Sequence, residues 1–132
     1  MSINFQKQSS KTLPAIKIFR PSIFCDNRGS IWSSFTKEIQ NEIPNELSFT
    51  HDKFSKSSKN VLRGIHGDTK SWKLVTCVYG SIQQVVVNYQ TGSKNFLKYD
   101  SFQINEKNQI CVLIPPNYGN AYLVLSKNAI YH

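Results

Sequence analysis

The chain has 132 residues, 39% of them hydrophobic, with a formal net charge of +8. That length supports one domain with a real core and not two. No apolar run approaches the ~20 residues that span a bilayer, and Met1 to Leu13 lacks the apolar centre of a signal peptide, so a cytoplasmic, non-membrane protein is expected.

In chain order, Ala15 to Phe19 alternates and reads as a strand ending at Pro21. The turn signal Asp26-Asn27-Arg28-Gly29 precedes a second strand over Ser30 to Phe35. Thr36 to Ile43 is the only helical candidate, with Ile39 and Ile43 four apart and Pro44 as its stop. Leu47 to Lys53 and Asn60 to Gly64 read as weaker strands. Trp72 to Tyr79 and Ile82 to Asn88 flank Gly80-Ser81, a hairpin signal. After the turn Gln90-Thr91-Gly92-Ser93 come strands over Phe96 to Ile104, Ile110 to Ile114 and Tyr122 to Leu125. Pro115-Pro116-Asn117 makes a rigid corner between the last two. Asn128 to His132 reads as a strand in progress. Many short strands at near-regular spacing, with no internal repeat or linker, predict a single all-β domain over 1–132, its first 13 residues loosely held.

The three cysteines, Cys25, Cys77 and Cys111, form no CxxC pair. Neither a zinc site nor a disulfide framework is indicated, and Cys77 and Cys111 read as buried thiols. No close His-x-His pair is present, so no metal is expected. Nothing matches GxGxxG or a P-loop, so no nucleotide redox cofactor is expected either.

The chemistry concentrates in Leu62-Arg63-Gly64-Ile65-His66. Arg63 and His66 are an odd number apart, so a regular strand would point them to opposite faces. Gly64 between them permits a bulge that turns both toward one cavity. A guanidinium that holds phosphate, beside an imidazole that takes protons near neutral pH, suggests an anionic substrate and acid–base chemistry. From Lys53 to Lys73 the chain has six cations and the single acid Asp68, a patch that attracts nucleotides, nucleic acid or other polyanions.

Four further pieces join this block: Phe24 to Ser30, Ser55 to Val61, Trp72-Lys73-Leu74-Val75 with Tyr79-Gly80-Ser81-Ile82, and Ile114 to Ser126. Together they resemble the dTDP-4-dehydrorhamnose 3,5-epimerase family from about Phe19 onward. The resemblance implies a cupin-type jelly roll (a double-stranded β-helix), a homodimer, and no cofactor. The implied reaction is epimerisation at C3, C5 or both of a nucleoside-diphospho-4-keto sugar. It casts His66 as the base, Lys73 as the cation beside the C4 oxygen, and Arg28 and Arg63 as diphosphate ligands. His51, Lys53 and Asn120 stand at substrate-binding positions, where the family usually has Gln, Asn and His. Gln84 and Asn88 replace usual aspartates, and the stretch from His66 to Lys73 is shorter than usual. These departures admit a larger sugar, such as a GDP-linked 4-keto-heptose, beside a dTDP-4-keto-6-deoxyhexose. The family's tyrosine acid would fall one position after His132, leaving Tyr131 as the nearest candidate. The aspartate that orients the histidine comes later still, so the C-terminal part of the family domain is expected to lie outside this sequence.

The chemistry fits these residue types. Protons on C3 and C5 are next to the C4 ketone, so removing one gives an enolate that a lysine stabilises. Two other readings accompany this one: a basic β-barrel that holds single-stranded nucleic acid, motivated by the charge and 16 aromatic residues, and a 3,4-ketoisomerase on the same fold.

Overall fold

A computed structural model describes residues 2–132. Among these residues, thirteen strands and one short helix form a jelly roll. The first sheet orders β1 (Phe5–Ser9), β2 (Lys17–Pro21), β11 (Cys111–Ile114) and β7 (Lys73–Val75). The second orders β10 (Tyr99–Asn105), β9 (Ser81–Asn88), β12 (Tyr118–Val124) and β6 (Leu62–His66). A third, β5 (Ser55–Ser58), β13 (Asn128–Tyr131) and β8 (Cys77–Tyr79), closes one side. β3 (Phe24–Asp26) and β4 (Gly29–Ile31) form a hairpin that pairs with no other strand among the described residues.

The interior follows from alternation. Along β9, Ile82, Gln84, Val86 and Asn88 are buried while the residues between them are half-buried. Across the interior, Val112 and Ile114 of β11 and Val75 of β7 join Ile82, Val86 and Ile104 in one apolar cluster. β11 is buried on both faces, because its other side chains, Cys111 and Leu113, pack with Phe19, Ile39 and Ile43 in a second cluster. Ile39 lies in α1 (Lys37–Gln40) and Ile43 just past it, so the four-residue spacing closes the outside of the first sheet. Fully burying a side chain such as Phe19 contributes roughly 1.5–3 kcal/mol, and Phe19 is 0% exposed. Cys77 and Cys111 are buried as expected, and burial pushes their thiols up to about 11 and about 12.

Glu42 fixes the N-terminal strands to the segment just past α1. Its carboxylate accepts Lys7 Nζ at 2.6 Å and Lys17 Nζ at 2.5 Å. The hydrogen bond from Lys17, then that from Lys7, holds Glu42 below the usual carboxylate range. A depressed carboxylate stabilises the fold above its unfolded pKa, and that contribution disappears as pH falls through the folded one. Glu42→Gln is therefore expected to melt below the wild type at pH 7. The two melting temperatures should converge once acid protonates Glu42 in the folded protein, as thermal denaturation across pH will show.

Several boundaries differ from the sequence reading. Of residues 1–13, expected to be loosely held, Met1 lies outside the described residues, while Phe5–Ser9 form β1, which pairs with β2 along its length, and Leu13 is 0% exposed. The strand expected over Trp72 to Tyr79 splits at Thr76, whose hydroxyl donates to the Ile110 carbonyl at 2.8 Å as the chain passes between sheets. Leu47 to Lys53 forms no strand: it has no pairing partner, and Phe49 is its only side chain packed on a core cluster. Ser55–Ser58, polar and without apolar alternation, is nevertheless a strand because β13 supplies its ladder.

Candidate active site

The bulge expected at Gly64 is present. On β6, Arg63 pairs with Tyr122 and His66 with Asn120, so three residue steps on one strand oppose two on the other. Asn120 and Tyr122 are two apart and buried toward the interior. Their cross-strand partners share their face, which places Arg63 and His66 together on the interior side of the sheet. Gly64 and Ile65 occupy the outer side: a Cβ on Gly64 would meet Ala121, and one on Gly119 would meet Ile65 and Tyr89. Gly64 has φ +145°, a region that L side chains rarely adopt. β6 is the edge of its sheet, so Arg63 and His66 stand exposed at the rim of the interior. Arg63 Nε donates to Ser57 Oγ at 2.9 Å, which steadies the guanidinium stem while leaving its outer nitrogens available.

Below the rim lies a neutral hydrogen-bonded network. Asn120 Oδ1 accepts from Gln84 Nε2 at 3.2 Å and from the Tyr131 hydroxyl at 3.0 Å. The Tyr131 ring stacks on Tyr122 with centroids 3.9 Å apart, and the Tyr122 and Ser55 hydroxyls bond at 2.6 Å. Burial drives the Tyr131 phenol far above its ordinary value, so it stays protonated and keeps its proton on Asn120. Gln84 Oε1 is buried with no partner. Gln84, read in the sequence only as the replacement of a usual aspartate, and Tyr122, which the motifs do not single out, are both interior. Their signal was positional: each is two residues from another inward side chain, Tyr122 from Asn120 and Gln84 from Ile82 and Val86.

Lys73 lies on the interior face of the other sheet. It pairs with Ile114 on β11 and alternates with Leu74, so it shares the interior face with Val75 and Ile114, while Leu74 packs on the outer cluster. Its Nζ is 3.7 Å from Asp68 Oδ2. Trp72 packs against the outer cluster and Tyr118 belongs to the interior one, so both serve the core.

The remaining candidates are not drawn into this cluster by any hydrogen bond or ion pair. Arg28 sits in the β3–β4 turn with its side chain 83% exposed, and its Nε and Nη2 bond Asp26 at 3.0 and 2.5 Å. His51 and Lys53 lie exposed in the segment before β5. Between them, Asp52 Oδ1 is 3.1 Å from His132 Nε2, and Phe54 stacks on the His132 ring with centroids 4.3 Å apart. The segment carrying His51 and Lys53 is thereby tied to the strand that carries Tyr131.

A jelly-roll barrel with an arginine and a histidine on an edge strand and a lysine on the interior face of the opposite sheet has the fold of the cupin-type sugar epimerases. Over residues 10–132 the chain matches the family model for dTDP-4-dehydrorhamnose 3,5-epimerase, and it belongs to that family. It is 33% identical over 121 residues to the dTDP-4-dehydrorhamnose 3,5-epimerase of Shigella flexneri, covering 89% of this chain and 67% of the relative. With that of Escherichia coli strain K12 the identity is 34% over 115 residues, 84% of this chain and 62% of the relative. The crystal structure of the dTDP-6-deoxy-D-glucose-3,5-epimerase of Legionella pneumophila, in complex with dTDP-4-keto-L-rhamnose, superposes with a TM-score of 0.89 and 28% identity. That alignment covers 97% of this chain and 69% of the Legionella chain. The chain thus spans about two thirds of the length of these relatives.

Proposed function

We propose that this protein epimerises C3, C5 or both of a nucleoside-diphospho-4-keto sugar without a cofactor, through an enolate. The observation that carries the reading is the Gly64 bulge, which sets Arg63 and His66 on one interior face opposite Lys73. The Legionella relative, solved with dTDP-4-keto-L-rhamnose, makes a dTDP-linked 4-keto-6-deoxyhexose the first substrate to test.

In this mechanism the His66 imidazole removes the proton next to the C4 ketone, and the electron pair moves onto the C4 oxygen. The Lys73 ammonium stabilises that developing charge, an interaction stronger in the transition state than in the ground state. A proton returned to the carbon from the opposite face gives the inverted centre and restores the ketone, with no net change in electrons. Tyr131, whose hydroxyl donates to Asn120 Oδ1 at 3.0 Å, is the acid in this reading. Arg63 and Arg28 hold the diphosphate, which positions the sugar without entering the chemistry. His51, Lys53 and Asn120 contact the substrate. A cytoplasmic homodimer that supplies a sugar for bacterial surface polysaccharide completes the reading.

The test is the product. The protein is incubated with dTDP-4-keto-6-deoxy-D-glucose and the ring couplings are read by NMR. Inverted couplings at C3, C5 or both are expected; a substrate spectrum identical to the enzyme-free control, with this sugar and with a GDP-linked 4-keto-heptose, removes the reading.

A further inference from the structure

The exposed segment between His66 and Lys73 is held by its own hydrogen bonds and by β12. Asp68 Oδ1 accepts the backbone N–H groups of Lys70 at 2.8 Å and Ser71 at 2.6 Å. The Asp68 carbonyl accepts the Asn117 N–H at 2.8 Å. Gly67 lies so close to β12 that a Cβ there would stand 2.7 Å from the Tyr118 carbonyl oxygen. The loop is thereby pinned to the start of the strand that carries Asn120 and Tyr122. With Oδ1 occupied by the backbone, Oδ2 is the oxygen turned toward Lys73 Nζ. Asp68 is the only carboxylate within 4 Å of that ammonium among the described residues. The Ser71 and Lys70 N–H groups hold Asp68 down to about 2, so it is ionised whenever the protein is folded near neutral pH.

We propose that Asp68 is a positioning residue for Lys73: a carboxylate fixed by its own loop that sets where the ammonium stands beside the substrate's C4 oxygen. This rests on the role proposed above for Lys73. A flexible lysine alone must be ordered when the oxyanion forms, whereas one already held loses less freedom at that moment. Asp68 touches neither substrate nor reacting atoms.

Asp68→Asn is the informative variant. Its carbonyl oxygen still accepts from Lys70 and Ser71, so the loop is kept while the charge is removed. The expected result is kcat lowered about tenfold, or ~1.4 kcal/mol, with KM within about twofold and the melting temperature unchanged. Asp68→Glu, which restores the charge, should recover part of the loss. An activity-independent readout accompanies this: in the wild type the Lys73 side-chain 15N and 13Cε resonances stand apart from those of the other lysines, and in Asp68→Asn they join them. Wild-type kcat together with unmoved Lys73 resonances overturns the proposal, as does a kcat loss matched by an equal loss of thermal stability. Lys73→Met separates the two levels. If it turns over normally, the role of Lys73 itself fails. If it is inactive while Asp68→Asn is unimpaired, only the positioning role fails.

Discussion

His66→Asn is expected to lower turnover about 10³-fold, within the range that a positioned general acid–base group contributes. Asparagine preserves the size and polarity of the side chain but takes no proton. Because His66 lies exposed on an edge strand, its removal leaves no buried void and no orphaned partner in the core. The melting temperature should therefore stay within a degree or two of the wild type. Affinity for dTDP, measured by calorimetry, should also hold, since Arg63 keeps its place. Loss of rate with retained nucleotide binding and retained stability isolates proton abstraction. Full turnover in this variant would remove His66 from the chemistry.

Gly64→Ala is expected to damage both fold and site. A Cβ at residue 64 would stand 2.3 Å from Ala121 Cβ and 2.7 Å from Ala121 Cα, and φ there is +145°. The Ala121 Cβ is fixed to its backbone and cannot swing away, so β6 must shift outward or lose its bulge. Backbone strain of order 1–3 kcal/mol together with overpacking of ~1–3 kcal/mol suggests a destabilisation of about 3 kcal/mol, measurable by urea unfolding. Turnover should fall as well, since Arg63 and His66 depend on the bulge to share a face. Ala121→Gly in the same chain removes the overlap with the Ala121 Cβ but leaves the 2.7 Å approach to the residue-121 Cα and the φ strain, so the pair should recover only part of the loss. A Gly64→Ala protein as stable and active as the wild type would mean that the bulge does not set the site.

The sequence made the interior strands plain where burial on one face imposes period two, as in Ile82 to Asn88. It made the Gly64 bulge foreseeable because two functional side chains an odd number apart need one. Other elements depend on partners that lie far along the chain. Ser55–Ser58 has no apolar signature and is a strand because β13 pairs with it. The break at Thr76 is invisible in a continuous apolar run, since both halves are strands and only their sheets differ. Asp68 illustrates the same limit within the site. In the sequence it is a lone acid among cations, and only the folded loop shows its second oxygen turned toward Lys73. Arg28 is a motif position readily seen in sequence, and its bonds to Asp26 across the β3–β4 turn are visible only in the fold.

Proton abstraction next to the C4 ketone can be watched directly. The protein is placed in D₂O with dTDP-4-keto-6-deoxy-D-glucose, and the C3 and C5 proton signals are followed by NMR against His66→Asn as control. Loss of one or both signals with the wild type, and persistence of both with the variant, is the expected result and counts the centres epimerised. Exchange at equal rates in the two proteins, or none above the enzyme-free rate with either dTDP- or GDP-linked 4-keto sugars, would contradict an enolate formed by His66.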